Sequence, residues 1–200
     1  MSKPWKIALG AVAIVAIAML SCGVYLAVRF KTYFAPSESM APTIRRGQMF
    51  AVDRFAYRGE QPRRGDVVLF TPPLPFPGPI FKRVVAVPGD RFALRGGRTF
   101  LNGKPINEPY ALHPAPYDLA VRDYGLWVDG VRLDPDATAP PRARWTAPDT
   151  VPQGCYIMLG DNRPNSMDSH AFGFFCPGEP VPSVPDMHQE LIGRALVPSH

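Results

Sequence analysis

Cysteine and histidine are scarce in this sequence, with three and four residues among 200. Neither type recurs at the spacing of a zinc site, and no glycine-rich phosphate loop is present, so we expect no metal centre and no cofactor. Heptads and internal repeats are also missing, which argues against coiled-coil and repeat architectures. The formal net charge of +5 accompanies scattered arginines without a basic stripe interleaved with aromatic residues. Nucleic acid is therefore not an expected partner.

A second long apolar run is also missing, so at most one segment is expected to cross a membrane. The one run, IALGAVAIVAIAMLSCGVYLAV (7–28), contains no charged residue. As a helix it spans about 33 Å, enough for a bilayer core of about 30 Å. Basic residues flank it on both sides and no small-residue cleavage site follows it, so we interpret it as an uncleaved anchor. The predicted organisation is a basic tail (1–6), the anchor (7–28) and one domain (35–200).

Long helices are not expected beyond the anchor, because no stretch sustains a helical pattern and 25 prolines interrupt the chain. Asn102-Gly103 and Asp129-Gly130 predict tight hairpin turns. Short apolar segments recur between turns: MFAVDRFAY (49–57), DVVLFT (66–71), FKRVVAVP (81–88), RTFLNGKPI (98–106), YGLWVDGVRL (124–133) and CYIMLG (155–160). The fold class that follows is mostly β, with antiparallel strands behind a single N-terminal transmembrane helix.

The three cysteines leave room for at most one disulfide in the domain. Cys22 lies within the anchor, whereas Cys155 and Cys176 lie in the domain. These two could pair if the domain faces an oxidising compartment, or they could remain buried thiols.

The strand PIFKRVVAVPGD (79–90) places a lysine among apolar residues. Strict alternation puts Ile80, Lys82, Val84 and Ala86 on one face. An edge-strand lysine whose stem packs while its ammonium reaches water would explain this pattern. The alternative is a lysine held in an apolar site, where it loses its proton and acts as a base.

Three further segments carry polar residues suited to chemistry: APSESMAPTI (35–44), RRGDVVLF (63–70) and GDNRPNSMDSHAFGF (160–174). Each taken alone is typical of a turn. A turn explains poorly why the third segment concentrates Asp161, Arg163, Ser166 and Asp168 in so few residues.

SESMAPT, RGDVVLF, FKRVVAVPGD and GDNRPNSMDS occur in this order behind the anchor. Together they resemble the successive motifs of the type I signal peptidases, which are membrane-bound serine endopeptidases with a serine/lysine dyad. The resemblance covers the anchor and roughly residues 35–103 and 154–174. Residues 104–153 match no motif and are interpreted as a variable insert.

The resemblance implies roles for individual residues. Ser39 corresponds to the nucleophile and Lys82 to the general base. The supporting residues are Ser37, which helps to stabilise the oxyanion, Ser166, which orients the lysine amine, Asp168, a supporting acid, and Arg83 and Asp161, two framework charges. Two positions depart from the family pattern: Pro164 stands where an aspartate is usual, and His170 where an arginine is usual. Neither is a dyad position, so the departures bear on the salt bridges of this loop.

The chemistry of the residues agrees with this assignment. A serine hydroxyl is a poor nucleophile until a base takes its proton, and no acid–histidine–serine spacing stands out. A lysine can replace the histidine if its pKa falls from about 10.4 toward about 7–8, a change worth about 3.4 kcal/mol. Desolvation beside Ile80, Val84 and Ala86 can supply that change for Lys82.

The family also implies a substrate and a location. Signal peptides of exported preproteins carry small residues, often Ala-x-Ala, before the cut, and shallow apolar pockets would select them. The candidate lining residues are Ala35, Met40, Ile44, Ile80 and Phe81. The expected location is the bacterial cytoplasmic (inner) membrane, with a single pass through the lipid bilayer and the catalytic domain on the extracytoplasmic, periplasmic side.

Two other functions remain open from the sequence. A related dyad peptidase could serve one dedicated substrate, such as the pilin of a conjugative transfer system, although GDNRPNS favours the general enzyme. The chain could instead be an inactive membrane-anchored β-domain that binds a partner. The presence of both Ser39 and Lys82 argues against that interpretation.

Overall fold

The computed structural model describes residues 4–133, 140–181 and 184–197. Its first element is the helix α1 (Pro4–Arg29), which contains the predicted anchor. Within residues 8–29, a stretch of 18 residues has a mean hydropathy of 2.5, and it is not buried inside the protein. The helix is therefore long and apolar enough to cross a membrane.

A six-stranded antiparallel sheet follows the helix; one of its strands carries Lys82, and the loop between its first two strands carries Ser39. Its strands are β1 (Phe30–Phe34), β2 (Met49–Asp53), β3 (Val67–Phe70), β4 (Ile80–Ala86), β11 (Ile157–Leu159) and β14 (Leu191–Ala195). They lie in the order β1-β2-β14-β3-β4-β11. Strand β4 thus has a neighbour on both sides, and Lys82 is not an edge-strand lysine.

A second six-stranded antiparallel sheet lies between β4 and β11 in the chain, in the order β10-β9-β8-β5-β6-β7. Its strands are β5 (Phe92–Arg95), β6 (Arg98–Leu101), β7 (Lys104–Pro105), β8 (Leu119–Arg122), β9 (Gly125–Val128) and β10 (Val131–Arg132). The smaller elements are a ribbon of β12 (Pro180–Val181) and β13 (Val184–His188), the helix α2 (Ser169–Phe172), and 3-10 turns at Arg142–Arg144 and Arg163–Asn165. The predicted fold class, mostly antiparallel β behind one N-terminal helix, is confirmed.

Both predicted hairpin turns are present. Asn102 and Gly103 have φ values of 54° and 81°, and they connect β6 to β7. Asp129 and Gly130 have φ values of 48° and 80°, and they connect β9 to β10. Two successive residues with positive φ are what a tight hairpin turn requires, and Asn-Gly and Asp-Gly tolerate this conformation best.

The two sheets share one buried core. Val85 and Ile157 from the first sheet pack there with Leu94, Leu119 and other apolar residues of the second. Cys155 and Cys176 belong to the same cluster and form a disulfide with their Cα atoms 4.2 Å apart. Of the two states left open by the sequence, the structure therefore has the disulfide.

Strict alternation along β4 ends after Val84. Ile80 and Val84 pack in one apolar cluster, as predicted for residues on one face. Val85 and Ala86, although adjacent, both pack in the core between the sheets. The neighbouring strand β11 shifts register opposite this point, where Ile157 faces Ala86 and Met158 faces Val84. The prediction that Ala86 shares the face of Lys82 is therefore wrong, because a bulge redirects the end of the strand.

The helix is tied to the sheet without a linker, because α1 ends at Arg29 and β1 begins at the next residue. The Arg29 guanidinium donates two hydrogen bonds, of 3.0 and 2.6 Å, to the Asp53 carboxylate on β2. One turn earlier, the ring of Tyr25 meets the ring of Phe55 edge-on, with 5.9 Å between centroids. These contacts hold the end of the helix against the first sheet.

Candidate active site

The loop that joins β1 to β2 carries the first two candidate residues. Ser39 is buried, whereas Ser37 is exposed. The Ser37 hydroxyl donates a hydrogen bond of 3.1 Å to the Ser39 oxygen Oγ. Two main-chain bonds fold the loop back on itself, from Ala41 N–H to the Glu38 carbonyl at 3.0 Å and from Ile44 N–H to the Met40 carbonyl at 2.8 Å. The two serine hydroxyls are thereby presented side by side on a compact turn.

Lys82 lies in the middle of β4, directly across from Val68 on β3. Only 2% of the residue is exposed to solvent. Burial disfavours the charged ammonium and lowers the pKa of Lys82 from 10.5 to about 8, although the negative charges of Asp168 and Asp161 act in the opposite direction. A substantial fraction of this lysine is therefore neutral near physiological pH, as a general base must be.

The loop after β11 brings the serine turn and the lysine strand together. Asn162 N–H donates to the Ser39 carbonyl at 3.1 Å, and the Asn162 side chain donates to the Glu38 carbonyl at 3.2 Å. Gly160 packs so closely that an added Cβ would lie 2.4 Å from the Ser39 carbonyl oxygen and 2.1 Å from Ser166 Oγ. Strand β11 itself pairs with β4 at Arg83, the residue after the lysine. Gly160 therefore lies between Ser39 and Ser166, and the pairing of β11 with β4 places the strand of Lys82 next to this loop.

A buried ion pair fixes the same loop to β4. The Arg83 guanidinium donates two hydrogen bonds, of 2.8 and 2.6 Å, to the Asp161 carboxylate, which has no exposed surface. Thr43, from the serine loop, donates to the same carboxylate at 2.5 Å. The Arg83 guanidinium also lies 3.8 Å from the centre of the Tyr110 ring. The two predicted framework charges thus link all three segments of the site.

Asp168 is completely buried at the far end of the loop. Its carboxylate accepts hydrogen bonds from the Tyr117 hydroxyl at 2.9 Å and from Gly160 N–H at 3.2 Å. His170 Nδ1 lies 2.5 Å from the same carboxylate, and its ring stacks on that of Tyr117 at 3.9 Å. Burial and the nearby carboxylate raise the pKa of Tyr117, so its hydroxyl remains a donor. This network holds Gly160 and, through it, the Ser39 turn.

The two positions that depart from the family pattern keep the loop connected in other ways. Pro164 lies in the 3-10 turn Arg163–Asn165. Beside it, the buried Arg163 donates to the Gly160 carbonyl at 2.9 Å and to the Glu108 carboxylate at 2.7 Å. His170 contacts Asp168, where the family pattern has an arginine.

The five candidate pocket residues fall into two groups. Ala35, Met40, Ile44 and Phe81 pack in one apolar cluster beneath the serine loop. Ile80 instead packs against the cluster that contains Val84, on the opposite face of β4 from Phe81. The structure brings the first four together and separates the fifth from them.

Sequence reasoning missed the support that residues 104–153 give to this site. Glu108, Tyr110 and Tyr117 all come from this segment and contact Arg163, Arg83 and Asp168. Their sequence neighbours form no motif, and the hydrogen bonds of Glu108 and Tyr117 span 55 and 51 residues. The one signal that could have indicated these contacts is that the charged residues of the 160–174 loop, once buried, need polar partners from elsewhere in the chain.

An apolar N-terminal helix, an antiparallel β domain and a serine turn packed against a buried lysine strand define a membrane-anchored serine endopeptidase. The chain belongs to the signal peptidase family, peptidase S26, whose family model matches residues 7–184.

Two relatives in sequence agree with this membership. Signal peptidase I of Leptolyngbya laminosa is 32% identical over 190 residues, which cover 89% of this chain and 75% of that protein. Signal peptidase I of Bacillus caldolyticus is 36% identical over 145 residues, 72% of this chain and 71% of that protein. A crystal structure of signal peptidase I from Enterococcus faecalis V583 is 28% identical and covers 57% of this chain and 89% of that one, with a TM-score of 0.38.

Proposed function

We propose that Ser39 is the nucleophile and Lys82 the general base of this signal peptidase. The observation that carries the proposal is the burial of Lys82, which lowers its pKa to about 8, in a site shared with a buried serine. A lysine with an ordinary pKa of 10.5 would be neutral in only about one molecule in 3,000 at pH 7, against about one in ten at a pKa of 8. The gain in available base is therefore about 300-fold.

The reaction follows from these two groups. Neutral Lys82 takes the proton of the Ser39 hydroxyl while Oγ attacks the scissile carbonyl carbon. The Ser37 hydroxyl, which donates to Ser39 Oγ in the free enzyme, turns to the developing oxyanion. The Lys82 ammonium then gives its proton to the departing amine of the mature protein. Water, deprotonated by the same lysine, hydrolyses the acyl-enzyme on Ser39 and releases the signal peptide.

Ser166 is proposed to orient the lysine amine. Its hydroxyl is buried, and among the described residues it has no hydrogen-bond partner. A buried hydroxyl without a partner costs stability, so its presence needs an explanation. We propose that the Ser166 hydroxyl binds the Lys82 amine when this amine turns toward Ser39. Asp168, Arg83 and Asp161 act by position, since their bonds hold the loop that carries Ser166.

The proposed substrates are signal peptides of exported preproteins with small residues before the cut. Ala35, Met40, Ile44 and Phe81 support this choice, because they form a buried apolar cluster directly beneath the serine loop, where little room is left for a substrate side chain and small ones fit best. We propose that Ile80 lines the substrate pocket from the other face of β4, the face of Lys82. The proposed location of residues 35–200 is the extracytoplasmic side of a bacterial cytoplasmic membrane, where the Cys155–Cys176 disulfide is stable.

Alanine substitution at the dyad tests the assignment. Ser39→Ala and Lys82→Ala should each abolish preprotein cleavage while thermal unfolding remains cooperative. Lys82→Arg should also be inactive, because arginine cannot be deprotonated in a protein. His170→Ala serves as the control and should retain most activity. If His170→Ala is as inactive as Lys82→Ala, histidine is the base and the proposal is wrong.

A further inference from the structure

A cavity of about 400 Å³ borders the serine turn and has no role in the mechanism above. Its lining includes Glu38, Ala41 and Pro42 from the serine turn and Asp161 and Asn162 from the loop after β11. These residues lie on both sides of Ser39 in the sequence, and Asn162 N–H donates to the Ser39 carbonyl. A peptide bound at Ser39 would therefore lie beside this cavity.

The remaining wall is basic. It consists of Arg45, Arg46, Leu112 and His113. Both arginines are exposed, and within the described parts of the chain neither guanidinium has an ion pair or a hydrogen bond. Two unpaired positive charges at one wall make the cavity attractive to an anionic group.

The acidic residues of the cavity do not cancel this charge. Asp161 is fully buried, its charge is paired with that of Arg83, and it accepts a hydrogen bond from the Thr43 hydroxyl. Glu38 is the other acid in the lining, so two arginines face one available carboxylate. The cavity therefore keeps a positive charge, in contrast to the apolar cluster of Ala35, Met40, Ile44 and Phe81.

We propose that this cavity is a subsite for an acidic side chain located one to four residues after the scissile bond. The inference rests on the proposed role of Ser39. The small apolar residues before the cut belong with the apolar cluster, which leaves the basic cavity for the mature part of the substrate. Arg45 and Arg46 follow Ser39 by six and seven residues in the same loop, and two to three extended substrate residues cover about 7–10 Å.

Peptide substrates of one sequence, carrying Glu, Gln or Lys at each of the four positions after the cut, test the subsite. The readout is the ratio of kcat/KM for the Glu and Lys peptides, measured with purified enzyme in detergent and without lipid. At one of these positions the native enzyme should prefer Glu by about three- to tenfold, the size expected for one or two partly exposed charge pairs. The preference should shrink as salt concentration rises.

Charge reversal at the arginines supplies the matched comparison. Arg45→Glu combined with Arg46→Glu should invert the ratio at that position, so that Lys is preferred. Arg98→Glu, an equally exposed arginine on β6 of the second sheet, should leave the ratio unchanged. Placing the same charges before the cut should produce no inversion.

Failure of the subsite and failure of the dyad are distinguishable. Equal cleavage of the Glu and Lys peptides by the native enzyme, or a reversal variant that slows all peptides alike, would overturn the subsite while leaving Ser39 as nucleophile. A reversal variant that slows all peptides alike would mean that Arg45 and Arg46 contribute to folding or bind a lipid surface instead. Cleavage of the Gln peptide by Ser39→Ala would overturn the proposed function itself.

Discussion

Gly160 is the position where the smallest chemical change should have the largest effect on activity. A methyl group added there would lie 2.1 Å from Ser166 Oγ, 2.6 Å from Ser166 Cβ and 2.4 Å from the Ser39 carbonyl oxygen. Ordinary contact begins near 3.4 Å. The Ser166 side chain can rotate away, but the Ser39 oxygen belongs to the main chain and is held by Asn162 N–H. The Ser39 backbone must therefore move by about 1 Å, the difference between 3.4 and 2.4 Å.

A displacement of this size has a predictable consequence for catalysis. Misplacing a reacting group by about 1 Å costs on the order of 10²-fold in rate, because the attack geometry is lost. Overpacking in a dense site also costs about 1–3 kcal/mol of folding stability. We therefore expect Gly160→Ala to lower kcat by about 100-fold or more, with a modest decrease in Tm. The assays are peptide cleavage under saturating substrate and thermal unfolding of the same preparation.

Two companion variants isolate the cause. Gly78→Ala is the control, because its added methyl meets nothing within 4 Å and the residue does not have a positive φ. It should behave as the native enzyme. Ser166→Gly alone measures the cost of losing the Ser166 hydroxyl. Combining it with Gly160→Ala removes two of the three close atoms but keeps the Ser39 oxygen, so the double variant should be slower still than Ser166→Gly. If Gly160→Ala keeps kcat within about threefold of the native value and an unchanged Tm, the packing of the 160–168 loop against Ser39 is not as described.

Three other outcomes follow from the site and the core. The kcat/KM of the free enzyme should rise with pH through a limb near 8, because only neutral Lys82 accepts a proton; a limb above 10 would contradict its desolvation. Asp161→Asn should cost about 3–5 kcal/mol in urea unfolding, since its buried arginine partner loses its counter-ion, whereas exposed Arg63→Ala should cost less than about 1 kcal/mol. Replacing Cys155 and Cys176 together by alanine should cost about 3 kcal/mol, as expected for a closed loop of 21 residues; an unchanged unfolding midpoint would mean that the two are not linked.

The strands and turns of this domain were predictable because their causes are local. Asn102-Gly103 and Asp129-Gly130 carry the backbone preference of a tight turn in two adjacent residues. The anchor is likewise a single uninterrupted apolar run. Lys82 was detectable as a charge that interrupts an apolar strand, and its burial follows from the position of β4 inside the sheet.

Features that depend on distant pairing were not predictable. Tyr117 reaches Asp168 across 51 residues, and nothing near the tyrosine marks it as a partner. The wrong prediction for Ala86 has a similar origin, because the register shift that redirects it occurs where β4 pairs with the distant strand β11. The basic cavity beside the serine turn combines Arg45 with His113, which the fold alone brings together.

Because α1 passes directly into β1, Ser39, the proposed nucleophile, cannot lie far from a membrane that holds α1. Ser39 follows Arg29 by ten residues, which cannot extend beyond about 35 Å, and the Arg29–Asp53 bonds keep the helix end from swinging. Ser39 therefore stays at a nearly fixed height above the bilayer, and a scissile bond must be located at that height to be cut. Where a preprotein offers several stretches of small residues, we expect the one at that height to be cut. Lengthening or shortening the chain between an apolar signal segment and its cleavage motif should move the cut to another site.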